Sequence, residues 1–164
     1  MRTALAVCLL TLALLSGCGR EAALPTASGS AGAAPQEAIA RSGDVSVRAS
    51  ALQTSALSPA VAQQYGIVRD DATVMLLVAV RRGPDGQDVA IPARVSASAT
   101  DLRGQRRELE LRELRTGDPG SAQLLDYIGT VEIALPDTVR FDVSVTPEGG
   151  ASTTLQFSRE FYPR

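Results

Sequence analysis

Lys, His, Trp and Asn are missing from all 164 residues, and every one of the 16 basic side chains is Arg. Without His there is no Ser–His or Cys–His pair and no imidazole metal site, and without Lys there is no Schiff base. Hydrolysis by two carboxylates survives this exclusion, but nothing in the residue order brings two of them around a common cleft. The chain is expected to be no enzyme and to need no cofactor and no metal. Sixteen basic against 18 acidic residues leave a net charge of −2. A broad electropositive surface is therefore absent, and no nucleic-acid partner is expected. Cysteine occurs only as Cys8 and Cys18, and there are six aromatic rings.

What is present begins with an address. Met1-Arg2-Thr3 precedes an apolar-rich run over residues 4–15 and then Ser16-Gly17-Cys18. One positive charge followed by twelve mostly apolar residues fits a secretory signal sequence, and the run falls short of the roughly 20 residues that span a bilayer. Leu15-Ser16-Gly17-Cys18 resembles the bacterial lipobox. That resemblance implies a signal peptide over residues 1–17, cleavage before Cys18, and fatty acylation of Cys18 with palmitate or a similar chain. Cys8 then leaves with the signal and Cys18 becomes a thioether, so the mature chain holds no disulfide even in an oxidising compartment. Several acyl chains suffice for stable membrane attachment without a spanning helix. Loss of Arg2 leaves 15 Arg against 18 acids, a net −3, so the lipid on Cys18 must supply the membrane affinity. Gly19 stands where Asp would resemble an inner-membrane retention signal, which points to the outer membrane, facing the periplasm.

From residue 19 to 42 the composition turns to Ala, Gly, Ser and Pro, with Leu24 and Ile39 the only larger apolar residues. So little apolar surface cannot offset the entropy of ordering. Residues 18–42 are expected to be the lipidated Cys and a flexible tether, with an r.m.s. reach of roughly 27 Å and at most a marginal helical turn around 36–41. All six aromatics, Tyr65, Tyr127, Phe141, Phe157, Phe161 and Tyr162, lie beyond it, so the folded domain is placed at 43–164.

Within that domain Val45 and Val47 alternate with polar residues and open a first strand. Ser58, Pro59 and Gly66 supply the N-cap, first position and stop of a short helix. Residues 74–80 form a continuous apolar run, as in a strand buried on both faces. Gly83-Pro84-Asp85-Gly86 is turn chemistry, and residues 89–100 read as the next strand, with Pro92 marking an edge or bulge. Residues 105–116 carry strong helix formers, yet Leu109 and Leu111 alternate with charges between turn signals, which favours a strand. Residues 124–135 follow with period two, Val139, Phe141, Val143 and Val145 alternate cleanly, and a hairpin at 147–150 leads to Leu155, Phe157 and Phe161. About seven short antiparallel strands and one small helix predict an all-β fold, an immunoglobulin-like β-sandwich.

The stretch from Ser58-Pro59-Ala60 through Gln63-Gln64-Tyr65-Gly66-Ile67 resembles the helix segment of domain-of-unknown-function family 4426, a family of small exported bacterial envelope domains. Asp101-Leu102-Arg103-Gly104-Gln105, Arg112-Glu113-Leu114-Arg115, Arg140-Phe141-Asp142-Val143 and Thr146-Pro147-Glu148-Gly149-Gly150 extend the resemblance in order, with Phe157 and Phe161-Tyr162 at its end. It covers about residues 43–163 and implies an envelope location without an agreed activity. Where the family pattern has bulkier or amide residues, this chain has Leu52, Gln53 and Ala56.

Several side chains carry chemistry of their own. Asp85 and Asp88 offer oxygens but lack the spacing of a calcium loop, so a turn whose Asp side chains bond local backbone is the simpler reading. Asp70 and Asp71 are adjacent, and adjacent residues of a strand point to opposite faces; they read as a solvated loop. Arg81-Arg82 and Arg106-Arg107 have the fork for phosphate or carboxylate but sit at strand ends, where charges guard edges. Ser30, between glycines 29 and 32, lies in the tether and lacks the strand–turn–helix setting of a nucleophile elbow. The segment 52–67 is longer than a hairpin needs, and functional residues gather on such connections. Leu57, Val61, Tyr65 and Ile67 are its candidate partner-binding residues, with Tyr65 as a rigid anchor; the alternative is that they cover an open end of the sandwich. The function expected is a lipid-anchored periplasmic module that binds a protein or takes part in envelope assembly, through this segment or by strand addition. The alternative is a small-ligand or ion binder, and the identity of an envelope protein partner is not legible.

Overall fold

The computed structural model describes residues 36–117 and 124–164; the signal peptide, Cys18 and most of the tether lie outside them. The long apolar run becomes a central strand. Val74, Leu76, Val78 and Val80 alternate with Met75, Leu77 and Ala79, and the first set has no exposure to solvent at all. Met75 on the opposite face is also buried, while Leu77 and Ala79 are half-buried. One face is therefore sealed in the core and the other is partly covered. Each Val or Leu so buried contributes about 1.5–3 kcal/mol.

Among the described residues ten strands make two antiparallel sheets. In chain order they are β1 Ala38–Ser42, β2 Val45–Gln53, β3 Thr73–Arg82, β4 Val89–Ala90, β5 Ala93–Thr100, β6 Arg106–Leu109, β7 Arg112–Thr116, β8 Leu124–Glu132, β9 Asp137–Pro147 and β10 Thr153–Phe161; the helix α1 is Pro59–Tyr65. One sheet runs β1-β2-β3-β8-β7, with β4 also paired to β3, and the other runs β10-β9-β5-β6. Val47 and Ala49 from β2, Tyr127 from β8, and Val139, Phe141, Val143 and Val145 from β9 meet β3 between the layers. The expected all-β sandwich is the fold.

The strand count rises from seven to ten for identifiable reasons. Residues 89–100 are not one strand: Val89–Ala90 belongs to the six-stranded sheet and Ala93–Thr100 to the four-stranded one. Pro92 sits at the change, where it has no N–H to leave unpaired. The backbone around it is satisfied from three directions: Ile91 N donates to Val80 O at 3.2 Å, Glu148 N to Pro92 O at 3.2 Å, and Ala93 N to the Tyr127 hydroxyl at 2.8 Å. Residues 105–116 divide likewise, β6 pairing with β5 and β7 with β8, so the chain changes sheets at Glu110-Leu111. The third addition, β1, corrects the boundary of the tether, and strand rather than helix forms around 38–42. Its residues pair with β2 from Ala38↔Ala49 to Ser42↔Val45 across a two-residue turn, Gly43-Asp44. Ile39 stays 48 % exposed and only the small Ala38 and Ala40 pack against the core, so the strand leans on main-chain bonding and hydrophobic pattern could not mark it.

The turn carrying Asp85 and Asp88 is closed by Gln87 N donating to Pro84 O at 3.0 Å, and its Asp side chains reach arginines of β1 and β2 instead of that local backbone. Asp85 accepts from Arg41 at 2.7 and 3.0 Å and from Arg48 at 3.3 Å, and Arg48 reaches Asp88 at 3.8 Å. The Arg41 hydrogen bond and charge hold the Asp85 carboxyl below its ordinary pKa, and Arg48 adds to the effect. Whatever this exposed pair contributes is present above the ordinary carboxylate range and is lost as pH falls through the lowered value. In a carboxyl NMR titration, Arg41→Gln is expected to move the Asp85 midpoint upward; an unmoved midpoint would disprove the pairing.

Candidate functional site

The connection between β2 and β3 is built from its neck outward. Thr54, wholly buried, donates its hydroxyl to Asp70 O at 3.0 Å and accepts from Asp70 N at 2.9 Å. Beside it, Gln53 donates to the carbonyls of Asp71 and Tyr162 at 2.9 and 2.8 Å, which ties the neck to the chain's last residues. Ser55 N bonds Asp70 O at 3.2 Å, and Arg69 donates to Ser55 O at 2.8 Å. Two strands of the loop are thus stapled together before the helix begins. Thr54→Val removes a buried hydroxyl that bonds both the N–H and the carbonyl of Asp70. It is expected to cost about 1–3 kcal/mol and to speed amide exchange at Asp70 and Ser55; unchanged protection at both would refute the staple.

Above the neck the local signals act as their chemistry requires. The Ser58 hydroxyl accepts from Val61 N at 3.2 Å, Pro59 occupies the first helical position, and Gly66 closes α1 in the left-handed conformation at φ 62°, which costs glycine little. Ile67 N then bonds Ala62 O at 2.8 Å. Ala62 is the helix residue that is fully buried, whereas Leu57, Val61, Tyr65 and Ile67 are all half-buried.

An open cleft of about 510 Å³ lies where this excursion meets the outer side of β8 and the β6–β7 crossing. Ile67, Val68 and Ile128 give it apolar walls; Glu110, Arg112 and Glu132 give it charge. Val68 is 81 % exposed. The Arg112 guanidinium bonds the Tyr65 carbonyl, so it fixes the end of α1 against β7. Of the four candidate partner-binding residues, Ile67 lines this cleft and Leu57, Val61 and Tyr65 do not. Val68, Glu110 and Arg112 escape a sequence reading, because their nearness depends on a chain crossing 40 residues away.

The other candidates are spent on structure. Asp70 accepts from Ala72 N at 2.7 Å and from the Thr73 hydroxyl at 3.3 Å, a local turn. Arg81 bonds Asp126 at 2.6 Å and Leu125 O at 2.9 Å, half-buried within the sheet rather than guarding an edge, and Arg82 pairs with Asp44 at 3.6 Å. Arg106 pairs with Glu108 at 3.0 Å, and Arg107 bonds the Glu132 carbonyl. Among the described residues no three His, Cys, Asp or Glu side chains cluster as metal ligands do, and no helix is long and apolar enough to cross a membrane. Ser30 and Cys18 lie outside the described residues.

Residues 39–164 match the model of a family described as a domain of unknown function, DUF4426. The crystal structure of a DUF4426 family protein from Pseudomonas aeruginosa is similar, with 27 % identity, a TM-score of 0.59, and cover of 78 % of this chain and 96 % of that one. FetP of the uropathogenic E. coli strain F11, recombinantly expressed in the periplasm of E. coli, shares the fold at 13 % identity and a TM-score of 0.54, over 80 % of this chain and 98 % of its own. No curated protein matches in sequence.

Proposed function

The chain belongs to the DUF4426 family, and from that premise we propose that it is a lipid-anchored periplasmic sandwich that serves as a non-enzymatic protein-binding or envelope-assembly module. The observation that supports this best is the cleft beside the stapled excursion. Val68 stands 81 % exposed on its wall, within reach of a partner that enters the cleft. The charged rim of Glu110, Arg112 and Glu132 surrounds apolar walls, as at the centre and edge of a protein interface. The lipid belongs on Cys18, which brings the domain to the membrane that its net charge would not seek.

Two experiments test the parts separately. Cys18→Ala is expected to abolish palmitate labelling and release the protein from the membrane; persistent labelling disproves the anchor. A photo-reactive residue in place of Val68 is expected to give one discrete adduct in intact cells that the same probe at Leu102, an exposed turn residue, does not give. Adducts only with bulk lipid and abundant porins, or the same adducts from both positions, would overturn the binding role. The cleft volume also falls in the roughly 300–1,000 Å³ of small-molecule sites, which favours a second reading as a small-ligand binder; native mass spectrometry of the full chain would show the retained mass.

A further inference from the structure

The strand β7 ends the six-stranded sheet. It pairs with β8 on one side, and among the described residues no main-chain group bonds that of Arg112–Thr116 on the other. The far side of the sandwich is closed differently: β1 lies against β10, and Arg159 of β10 donates to the Gln36 carbonyl just ahead of β1. The open edge carries charge on its core-facing side. Glu113 stands opposite Tyr127 and Arg115 opposite Leu125, both core residues, yet at the rim each charged side chain stays about half exposed. Charges turned inward on an edge strand keep ordinary strands away, because docking would bury them unpaired.

We propose that a second copy of this chain docks on β7, edge to edge and antiparallel, about a two-fold axis at Leu114. A closed two-fold contact joins the same patch of both copies. Two antiparallel edges keep their faces in common only if that axis, normal to the sheet, falls on a residue position. Axes at Arg112, Glu113 or Arg115 set like charges face to face, which is unfavourable. At Leu114 the sequence Arg112-Glu113-Leu114-Arg115-Thr116 complements its own reverse. Leu114 meets Leu114, Arg112 meets Thr116, and each Glu113 meets Arg115 of the second copy.

Glu113 and Arg115 already pair along the strand at 2.9 Å. Adding the second copy turns two such pairs into a square of alternating sign, in which every charge has an opposite neighbour both along and across the strands. The same side chains thus repel a foreign strand and admit their own copy, as specificity by mismatch requires. Both copies turn the outer face of the sheet the same way, so their clefts open on one side of a continuous sheet.

The test uses the full chain with Cys8→Ala and Cys18→Ala, so that Leu114→Cys supplies its one thiol. Opposed residues of an antiparallel pair stand about 4.5–5.5 Å apart at Cα, inside the span of a disulfide. Mild oxidation in detergent is expected to give mainly a covalent dimer, whereas Leu102→Cys, in an exposed turn, stays monomeric. With Leu114 intact, Glu113→Arg is expected to weaken the dimer about tenfold in sedimentation equilibrium, because both cross-strand pairs become like-charged. Glu113→Arg combined with Arg115→Glu restores opposite charges and is expected to restore the dimer, a rescue that a misfolded variant would not give. Folding should be unaffected, since an exposed ion pair within one strand contributes little. A monomer at millimolar concentration, equal disulfide yield from positions 102 and 114, an undiminished dimer in Glu113→Arg, or no recovery in the double variant would each overturn the proposal. Capture of position 114 in whole cells by a different protein alone would assign the edge to a foreign strand and overturn it as well.

Discussion

Phe141→Ala is expected to cost about 3–5 kcal/mol, the range for emptying a buried aromatic site. Phe141 has no exposure and lies on β9, with β5 on one side and β10 on the other. Its ring stacks on Phe157 with centroids 5.2 Å apart and planes at 24°, and the two residues are direct cross-strand partners. Neighbours on both sides are held by sheet hydrogen bonds, so the space cannot collapse and the full cavity cost remains. A denaturant melt should show a lower midpoint at unchanged slope. Phe157 is only half-buried, so Phe157→Ala should cost less. The double variant should reveal a coupling of about 0.5–1.5 kcal/mol from the stacked pair. A loss under about 1 kcal/mol for Phe141→Ala would show that β9 does not present this residue to the core.

Gly129→Ala is the second large effect, expected to cost about 2–3 kcal/mol through overpacking. The backbone at Gly129 is ordinary strand and not one of the positive-φ glycines, so conformational freedom is not the reason for glycine here. Space is the reason: a Cβ would stand 2.8 Å from the Glu110 carbonyl oxygen and 2.9 Å from Leu111 Cδ2. The leucine methyl can turn away. The carbonyl cannot, because Leu109 is hydrogen-bonded into one sheet and Arg112 into the other. The same substitution should therefore disturb the amide resonances of residues 110–112, which rim the cleft. Full stability with unmoved resonances there would show that the crossing does not rest on Gly129.

These two residues also separate what was legible from what was not. The alternation of Val139, Phe141, Val143 and Val145 assigns a strand and its inner face without any tertiary knowledge, because side chains of a strand alternate sides. Ser58, Pro59 and Gly66 announce a helix equally well, since each acts on groups within a few residues. Gly129 looks, in sequence, like one more member of a period-two row. Its requirement comes from Glu110, which no local rule connects to it. Residues 89–100 and 105–116 each read as one strand for the same reason: alternation continues through a change of sheet, because both sheets turn their apolar side to the same core.

The candidate site divides along that line as well. Ile67 was visible on a long, capped connection, but the rim of Glu110 and Arg112 exists only because the β6–β7 crossing arrives beside the end of α1. Arg81 reads as an edge charge until Asp126 is found 2.6 Å away across β3 and β8. Sequence alone determined the strand-forming pattern, the helix ends, the polar and apolar faces and the missing catalytic residue types, all of which follow from neighbours along the chain. Tertiary structure decided which strands pair, where the chain changes sheets and which polar groups meet, because those depend on backbone hydrogen bonds between segments far apart, and every residue carries the same donor and acceptor whatever its side chain.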